Sequence, residues 1–595
     1  MRETEAIVEK IEDNIDKLEK FKDSVSKSRA KKKKDIIMNF PTVYIHNWKN
    51  KEQYEVYVGE SNDVFERTKQ HYKKMKSEKE WQHNLLDNKA ELYIIAHSFF
   101  NKSMTMDIES KLIHYLTSVK NIKKVHNGRD NPQKHYYPYK KLEEIFADIW
   151  EKLKFENEEL FPSMDSIKDS AIFKASPLHK LTDKQQEAKE EILEKIDDAL
   201  RTGKKGQLIF VEGEAGTGKT VLNSSTFYEL FCNYEKAKEK KEDLKYLTTD
   251  CHLLVNHDEQ ITVYQQIFDK LGIIEQYGQV IEKPTTFINN HSTKKPVDVV
   301  FIDEGHLLLT QGKMAYRGKN QLKDIIERAK VVVTMFDENQ ILTTEQYWEY
   351  EDLKKYRDEA EKKDNYIKLE DQLRMHANKK VIDWIDSFTK DRIIKDIPND
   401  LGDYELEVFS NPKSLNKAIE KKASKEDSKL SRIIATYDWK YKKNNHKCCP
   451  DEYWNVKIDG WSKPWNRELE KTLSRKEKRN IKNLAWAEQP HTINEVGSTY
   501  TIQGFDLDYA GVILGPSVKY EDGHIVFEPN NSFNEKAKIN RTLSDGTKRK
   551  FGKELLKHEV RILMTRGVKG LYIYACDKEL RKKLLECKKS IHKDL

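Results

Sequence analysis

The stretch "GEAGTGKT" at residues 213–220 decides how the larger part of this 595-residue chain folds. It follows the apolar run "LIFV" and precedes a helical pattern, which is the setting of a phosphate-binding loop. In such a loop backbone amides wrap the phosphates, Lys219 reaches the outer phosphates, and the Thr220 hydroxyl lies where it can bind Mg²⁺. The predicted nucleotide-binding positions of this stretch are Gly213, Gly216, Gly218, Lys219 and Thr220.

A second stretch, "VVFIDEGH" at residues 299–306, predicts the acidic half of the same site. Its apolar residues lead to Asp303 and Glu304 at the end of a strand. We expect Asp303 to hold Mg²⁺ and Glu304 to polarise the attacking water.

Short apolar runs with little alternation recur from residue 178 onward, and amphipathic helical patterns separate them. They begin with "GQLIFVEG", continue with "KYLTTD" and "VDVVFIDE", and end with "GLYIYACD". Strands that are buried on both faces of a parallel sheet have this pattern. The sequence therefore predicts an α/β fold with two nucleotide-binding-type sheets side by side.

Composition limits the class of protein. The 107 basic and 100 acidic residues give a net charge of +7, which permits nucleic-acid binding without requiring it. The six cysteines form no CxxC pair, as is typical of a reducing compartment. The N-terminus lacks a signal-peptide core, and no run approaches the roughly 18 apolar residues of a membrane span. We expect a cytoplasmic protein with no membrane partner.

Further motifs resemble those of superfamily 1 helicases and follow the same order along the chain. "LTDKQQEA" resembles the motif that reads adenine, with Gln185 as the matching residue. "TMFDENQ" would couple the γ-phosphate to the nucleic-acid path through Asp337 and Gln340. The resemblance implies arginine fingers at Arg374 in "LEDQLRM" and Arg566 in "VRILMTRG", which neutralise the transferred phosphoryl group when two lobes close.

The stretch "STYTIQGFDLDYAGVILG" resembles another helicase motif and carries Thr501, Gln503 and Gly504. "SRIIATYDWK" and "KPWNRE" resemble the DUF2075 branch, which is related to the helicase part of Schlafen proteins. The resemblance covers about residues 178–595. It implies ATP and Mg²⁺ as cofactors and single-stranded or branched DNA as the partner, with RNA as an alternative.

The N-terminal part carries a different pattern, "YEVYVGESNDVFERTKQH" at residues 54–71. It predicts a strand, a turn and a helix that places Arg67 and His71 on one face, because they are four residues apart. The strands "TVY" and "VYVG" each present a tyrosine, Tyr44 and Tyr57, next to that face.

These residues resemble a GIY-YIG nuclease domain over roughly residues 40–135. Tyr44 would belong to the first motif of that family and Tyr57 to the second. Thr42 and Val43 replace the glycine and isoleucine of the first motif, but both tyrosines remain.

The resemblance implies metal-dependent cleavage of a phosphodiester. Glu109 in "MDIESKLIHYL" would hold one Mg²⁺ or Mn²⁺, and Asn127 in "VHNGRDNP" matches the family's terminal asparagine. Arg67 would clamp the phosphate. Tyr44 would act as general base if nearby cations lower its pKa, while His71 would assist the proton transfer or orient the tyrosine.

The predicted domains are an N-terminal charged helix, a GIY-YIG domain, a linker and two RecA-like domains, at residues 1–35, 36–150, 151–177, 178–390 and 391–595. The N-terminal helix is predicted from spacings of three and four between Ile7, Ile11, Leu18, Phe21 and Val25, with Asn14 at the missing position. Such a helix docks on its own chain or self-associates, here through residues 4–25.

The predicted function is that of an ATP-dependent nuclease–helicase. A motor would track DNA and present it to, or gate, the nuclease, in defence against foreign DNA (antiviral defence) or in repair. Two alternatives stay open: an ATP-driven switch with a silent nuclease domain, and an RNA-directed version of the enzyme.

Overall fold

A computed structural model of the chain describes residues 5–73, 89–126, 136–313, 315–370, 379–442, 453–482, 484–502, 505–543 and 545–589. The chain divides into two compact units. Met1–Lys180 and Val263–Gln279 form the first unit, and Leu181–Thr262 and Val280–Leu595 form the second.

The first unit is built on a five-stranded sheet. Its strands are β1 Ile7–Glu12, β2 Thr42–Asn50, β3 Gln53–Ser61, β4 Glu91–Ala96 and β5 Ile122–Val125. They lie in the order β1-β4-β2-β3-β5, and all neighbours are antiparallel except β3 and β5. Its helices are α1 Ile15–Lys27, α2 Lys31–Asn39, α3 Val64–Lys73, α4 Lys102–Ser118, α5 Leu142–Glu156, α6 Met164–Asp169 and α7 Ala171–Ala175.

The predicted single helix at the N-terminus is wrong. Residues 7–12 form the edge strand β1, which pairs antiparallel with β4. Asn14, expected in the middle of a helical seam, is instead the N-cap of α1, and its side chain accepts a hydrogen bond from the Lys17 amide. Leu18 and Val25 of α1 are buried in the core of the first unit. The N-terminal segment therefore docks on its own chain. The apolar residues that were predicted to mediate self-association already pack in the core of the first unit.

Helices cover both faces of this sheet. On one face, α4 and α5 pack their apolar side chains against the strands, with Phe146 and Trp150 fully buried. On the other, α1, α2 and α3 pack against Tyr44 and Ile94. The hairpin of β2 and β3, which carries both predicted site tyrosines, is therefore held between two layers of helices.

The first sheet of the second unit has six parallel strands: β6 Gln207–Gly213, β7 Cys251–Leu254, β8 Ile281–Glu282, β9 Val297–Ile302, β10 Ala329–Phe336 and β11 Tyr366–Leu369. The order is β11-β6-β10-β9-β7-β8. The helices along it are α8 Asp183–Thr202, α9 Lys219–Lys240, α10 Asp258–Lys270, α11 Ile273–Tyr277, α12 Pro284–Asn290, α13 Gln321–Ile326 and α14 Tyr350–Lys362. Helix α10 passes from the second unit into the first at Val263.

The remaining strands are β12 Glu405–Val408, β13 Arg432–Ala435, β14 Asn455–Ile458, β15 Trp461–Pro464, β16 Val496–Ser498, β17 Leu507–Leu514, β18 Val518–Glu521, β19 His524–Phe527, β20 Arg541–Thr542, β21 Lys548–Arg549 and β22 Gly567–Ala575. Five of them form a second parallel sheet in the order β12-β22-β17-β13-β16, and the others pair in hairpins. The remaining helices are α15 Lys379–Asp386, α16 Pro412–Ala423, α17 Arg475–Ile481, α18 Thr499–Ile502, α19 Glu535–Lys538, α20 Gly552–Met564 and α21 Lys578–Lys589.

The predicted fold class is confirmed: a small N-terminal α/β unit precedes two RecA-like parallel sheets. The apolar runs around residues 207–213, 297–302, 329–336 and 567–575 are strands as expected, whereas "KYLTTD" is not, because the strand there begins at Cys251. The domain boundaries drawn from the sequence stay predictions. Among the described residues, no helix is long and apolar enough to cross a membrane.

The docked position of α1 predicts a difference between two substitutions on that helix. Leu18 is fully buried, whereas Ile15 is 45% exposed. Leu18→Ala should lower the free energy of unfolding by about 3 kcal/mol, because it leaves a cavity against the sheet, and Ile15→Ala by less than about 0.5 kcal/mol. Urea unfolding of the full chain measures both. Equal effects, or a loss of oligomers in sedimentation for Ile15→Ala, would contradict docking.

Candidate functional site

The phosphate-binding stretch lies at the carboxyl end of the first parallel sheet of the second unit. Strand β6 ends at Gly213, and α9 begins at Lys219. Between them Gly216 and Gly218 have φ values of 92° and 79°, a region that side chains with a Cβ rarely adopt. The chain can therefore turn sharply so that loop amides face the start of the helix. Thr220 follows Lys219 and is half-buried.

The Lys219 ammonium is buried beneath this loop. Its Nζ donates to the carbonyl oxygens of Gly213 at 2.6 Å and Glu214 at 2.8 Å, and lies 3.6 Å from Asp337 Oδ2. Burial alone would raise the pKa of Asp337, but the Lys219 charge and its other partners hold the pKa below its ordinary value. The cation thus has an anionic partner that directly follows β10, the strand adjacent to β6.

The acidic pair follows β9 at the same edge of the sheet. Asp303 is 1% exposed, and its Oδ1 accepts the amide of Glu304 at 3.0 Å. Glu304 has φ +52°, a strained conformation for a residue with a long side chain. Its Oε2 lies 3.3 Å from Nε2 of the fully buried His306. Burial lowers the pKa of His306, although the Glu304 charge opposes it.

A chain of contacts links the loop to the second sheet. Gln340 Nε2 donates to Asp337 Oδ2 at 2.8 Å, and Gln340 Oε1 accepts from Arg566 Nη2 at 3.0 Å. Arg566 is 1% exposed and lies just after α20. A continuous series of contacts therefore joins four residues that the sequence predicted for the site: Lys219, Asp337, Gln340 and Arg566.

Arg561 is a residue that sequence reasoning missed. Its Nη2 donates to Glu214 Oε2 in the loop at 2.8 Å, and its Nε donates to Asp386 Oδ1 at 3.0 Å. Lys390 Nζ binds the same two carboxylates, at 3.0 and 2.8 Å. The available signal was an arginine inside the apolar helical run "VRILM", where a charge requires a partner.

Gln185 holds the loop from the other side. It closes a capping box with Thr182 at the start of α8, and its Nε2 donates to the Thr217 carbonyl at 3.2 Å. Thr501 lies in a local turn, where its hydroxyl bonds the backbone of Ser498. The predicted residues Arg374, Gln503 and Gly504 lie outside the described residues.

The second candidate site is on the β2–β3 hairpin of the first unit. Tyr44 is paired with Gly59, and His46 with Tyr57, so the three rings share one face of the sheet. A Cβ at Gly59 would lie 2.5 Å from the Tyr44 ring and hydroxyl. The Tyr44 side chain can therefore lie over β3 only because the glycine of "YVG" has no side chain.

Helix α3 brings its predicted residues to these tyrosines. Tyr44 Oη lies 3.0 Å from His71 Nε2, and the Tyr57 ring centroid is 5.3 Å from that of His71. Arg67 lies close enough to both tyrosines to interact with them electrostatically. Glu109 on α4 is 4% exposed and close enough to influence Tyr44 electrostatically. Asn127 lies outside the described residues.

The protonation of Tyr44 differs from the sequence expectation. Burial first, and then Tyr57, raise the pKa of Tyr44 well above its ordinary value, and Arg67 opposes this only in part. Arg67 does lower the pKa of Tyr44, but burial outweighs it, so the condition under which Tyr44 would act alone as general base is not met. The hydrogen bond of Tyr44 to His71 is the available route for the phenol proton.

Asp13 and His46 extend this site and were also missed. Asp13 Oδ2 lies 2.6 Å from His46 Nδ1, both side chains are fully buried, and Tyr72 Oη donates to the other Asp13 oxygen. The His46 ring meets the rings of Tyr44 and His71 edge-on at 5.4 and 5.5 Å. The alternation of Tyr44 and His46 along one strand was a usable signal; Asp13, assigned to a helix, gave none.

Most of the residues that form the second unit match a known protein family. Residues 206–577 match the family described as Schlafen group 3, DNA/RNA helicase domain. The uncharacterized Saccharomyces cerevisiae protein YPL245W is 31% identical over 402 residues, which cover 64% of this chain and 84% of that protein.

Solved helicase structures are distant. The Pif1 helicase from Candida albicans has 14% identity and a TM-score of 0.18, covering 41% of this chain and 54% of that chain. A structure of two coordinating Pif1 helicases that unwind forked double-stranded DNA has 11% identity and a TM-score of 0.24, covering 70% of this chain and 98% of that chain. Membership of the Schlafen group 3 family supports nucleic-acid-dependent ATPase activity of the helicase type. Because the family match spans more than half of the 595 residues of this chain, the chain belongs to the Schlafen group 3 DNA/RNA helicase family.

Proposed function

We propose that this chain couples a helicase-type ATP motor to a GIY-YIG-type endonuclease that cuts DNA in a metal-dependent reaction. The observation that carries the proposal is the convergence of Tyr44, Tyr57, Arg67 and His71 on one hairpin face of the first unit, within the same chain as a phosphate-binding loop. The nuclease would act on strands that the motor delivers or withholds.

In the motor, Lys219 would hold the outer phosphates, and Glu304 would orient the attacking water. The buried carboxylate of Asp303 and the Thr220 hydroxyl are hard oxygen donors that suit Mg²⁺, which would neutralise charge on the phosphates. Phosphates that engage Lys219 would compete with Asp337, which also binds Gln340. Gln340 would then pass the change to Arg566 in the second sheet.

In the nuclease, the guanidinium of Arg67 would bind the scissile phosphate, because it is half-exposed beside both tyrosines. The buried carboxylate of Glu109 fits one hard divalent ion, Mg²⁺ or Mn²⁺, which would stabilise the leaving oxygen. Tyr44 carries its own proton, so it can accept one from water only by releasing its proton to His71 Nε2. The pair would act as general base together.

Asp13 would act as a positioning residue for this pair. Its carboxylate bonds His46 Nδ1 and so fixes the ring that touches both Tyr44 and His71. Asp13→Asn keeps the shape of the side chain but removes its charge. It would lower the cleavage rate and change the pH dependence of cleavage.

A silent nuclease domain within an ATP-driven switch has one observation in its favour. Burial raises the pKa of Tyr44, which is unfavourable for a base. An RNA-directed enzyme is the other alternative. The cleavage experiment below separates all three possibilities.

Cleavage should depend on the residues of the hairpin site and not on exposed acidic residues elsewhere in the first unit. Labelled forked DNA and RNA of the same sequence are incubated with Mg²⁺ or Mn²⁺, with and without ATP. Glu109→Ala should reduce DNA cleavage to background, and Tyr44→Phe should lower the rate by about 10²- to 10⁴-fold, since it removes the proton carrier but keeps the ring.

Glu143→Ala is the matched control, because this glutamate pairs with Lys111 in the same unit and its side chain is 76% exposed. It should cut at the wild-type rate. Cleavage of RNA alone would assign the RNA-directed enzyme. Absence of cleavage, with ATP hydrolysis still stimulated by nucleic acid, would assign the switch.

ATP hydrolysis should depend on Arg561, which lies in α20, and on Arg566, which follows that helix. Both arginines contact loops at the edge of the first parallel sheet. Arg566→Gln should lower kcat by at least about 10²-fold with little change in ATP binding, because its charge acts in the transition state. Arg561→Gln should lower it about 10-fold, because Glu214 and Asp386 then lose one of the two cations that they share and keep only Lys390.

The matched control is Arg581→Gln. Arg581 binds Tyr574 and the carbonyl of Ala575, both within the second sheet region. Steady-state hydrolysis with saturating single-stranded DNA or RNA measures all three variants, and binding of a fluorescent ATP analogue measures affinity. If the three variants hydrolyse ATP at one rate, the assignment of the two arginines is wrong.

A further inference from the structure

Three metal-ligating side chains meet at the edge of the first parallel sheet of the second unit, away from the residues assigned above. They are His252 on β7, Glu282 on β8 and His291 directly after α12. Their donor atoms all lie within 4.8 Å of one another, and each residue is half-buried. We propose that His252, Glu282 and His291 form a Zn²⁺ site.

The register of the strands brings the first two ligands together. In the parallel pair of β7 and β8, Leu254 is opposite Glu282, so His252 and Glu282 share a face of the sheet. His252 Nδ1 lies 3.1 Å from Glu282 Oε1. Two ligands of a tetrahedral zinc ion, each about 2.0–2.1 Å from the metal, are about 3.3 Å apart. The observed separation is thus already that of neighbouring ligands.

His291 is fixed in an orientation that suits a ligand. Its Nδ1 lies 3.1 Å from the carbonyl oxygen of Phe287 and would donate to it, which leaves Nε2 with a lone pair for the metal. Its ring stacks on Phe287 with centroids 4.3 Å apart, and its own carbonyl accepts from Arg328 Nε at 3.0 Å. A ring held by two contacts, on a backbone held by a third, loses little freedom when it binds an ion.

His252 has an outer carboxylate of the kind that accompanies metal-binding histidines. Its Nε2 lies 3.6 Å from Asp250 Oδ1, while Nδ1 faces Glu282. Asp250 can orient the ring through its second nitrogen, which leaves the fourth position of the ion to water. The rings of His252 and His291 are 4.7 Å apart, and a donor atom of each lies within 4.8 Å of a Glu282 oxygen.

The local charge favours a cation. Asp250 and Glu282 place two carboxylates beside the imidazole of His252. With two neutral imidazoles and two carboxylates, a divalent ion would leave the cluster uncharged. Imidazole together with a carboxylate selects Zn²⁺ over Mg²⁺, which prefers oxygen ligands alone.

The position gives the ion a structural role. β8 has two residues and is the outermost strand of its sheet, so its ladder is short. It directly follows Val263–Gln279, the stretch that belongs to the first unit. A metal that bridges β7, β8 and the end of α12 would fasten the chain where it returns to the sheet.

Zinc binding is measured on the full chain after removal of metals by a chelator. The probe is Zn²⁺, titrated against a chromophoric competitor in excess Mg²⁺, which occupies sites built from oxygen ligands. We expect one Zn²⁺ per chain, and a Co²⁺ derivative with the intense visible bands of four-coordinate geometry. His252→Gln, Glu282→Gln and His291→Gln should each abolish both signals, and Asp250→Asn should weaken binding about 10-fold.

His126→Gln is the matched control, because His126 Nε2 lies 2.8 Å from Glu55 in a His–Glu contact outside this cluster. It should bind Zn²⁺ as the wild type does. Wild-type melting temperature should also rise with Zn²⁺, and this rise should vanish in Glu282→Gln, whose side chain is isosteric. If wild type binds no stoichiometric Zn²⁺, or if the three ligand variants bind it as well as wild type does, the proposal fails.

Discussion

The buried ammonium of Lys219 is the constraint on which the motor half of the molecule depends. A charge removed from water requires a partner, and this one has Asp337 and two loop carbonyls. Asp337 is itself 2% exposed, so each group needs the other. The pairing is possible because β6 and β10 are adjacent parallel strands in which Glu212 is opposite Phe336, so that Lys219 and Asp337 emerge at one edge.

The same constraint extends to the second sheet. Asp337 shares its oxygen with Gln340, and Gln340 binds Arg566. An anionic ligand that draws Lys219 away from Asp337 would alter the charge that Gln340 and Arg566 experience. The network would then have two arrangements, the observed one in which Asp337 neutralises Lys219 and a second in which phosphates would do so. That property is what a motor needs to convert binding into movement of one lobe against the other.

How much of the site could be predicted depended on whether the signal was local. The loop and the strand-end carboxylates were predictable, because a strand, a turn and a helix within ten residues fix their geometry. The N-terminal helix was wrong for a physical reason: Ile7 and Ile11 are four apart, and residues four apart share a face in a strand as well as in a helix. Leu18 and Val25, seven apart, belong to a real helix, and Asn14 between the two groups is its cap. Pairing with β4, about eighty residues away, decided between the two structures, and no local pattern contains that information.

The residues that could not be predicted from the sequence share one structural feature. Arg561 with Glu214, and Asp13 with His46, each join side chains from distant elements in a buried or half-buried pair. Removing one member leaves the other without its partner in a poorly solvated place, which costs stability whatever the chemistry of the site. Truncation to alanine would therefore confuse a folding defect with a catalytic one at these positions. Isosteric changes such as Asp13→Asn keep a hydrogen-bonding atom at the same place and remove only the charge, so a rate change without a stability change would reveal what the charge itself contributes.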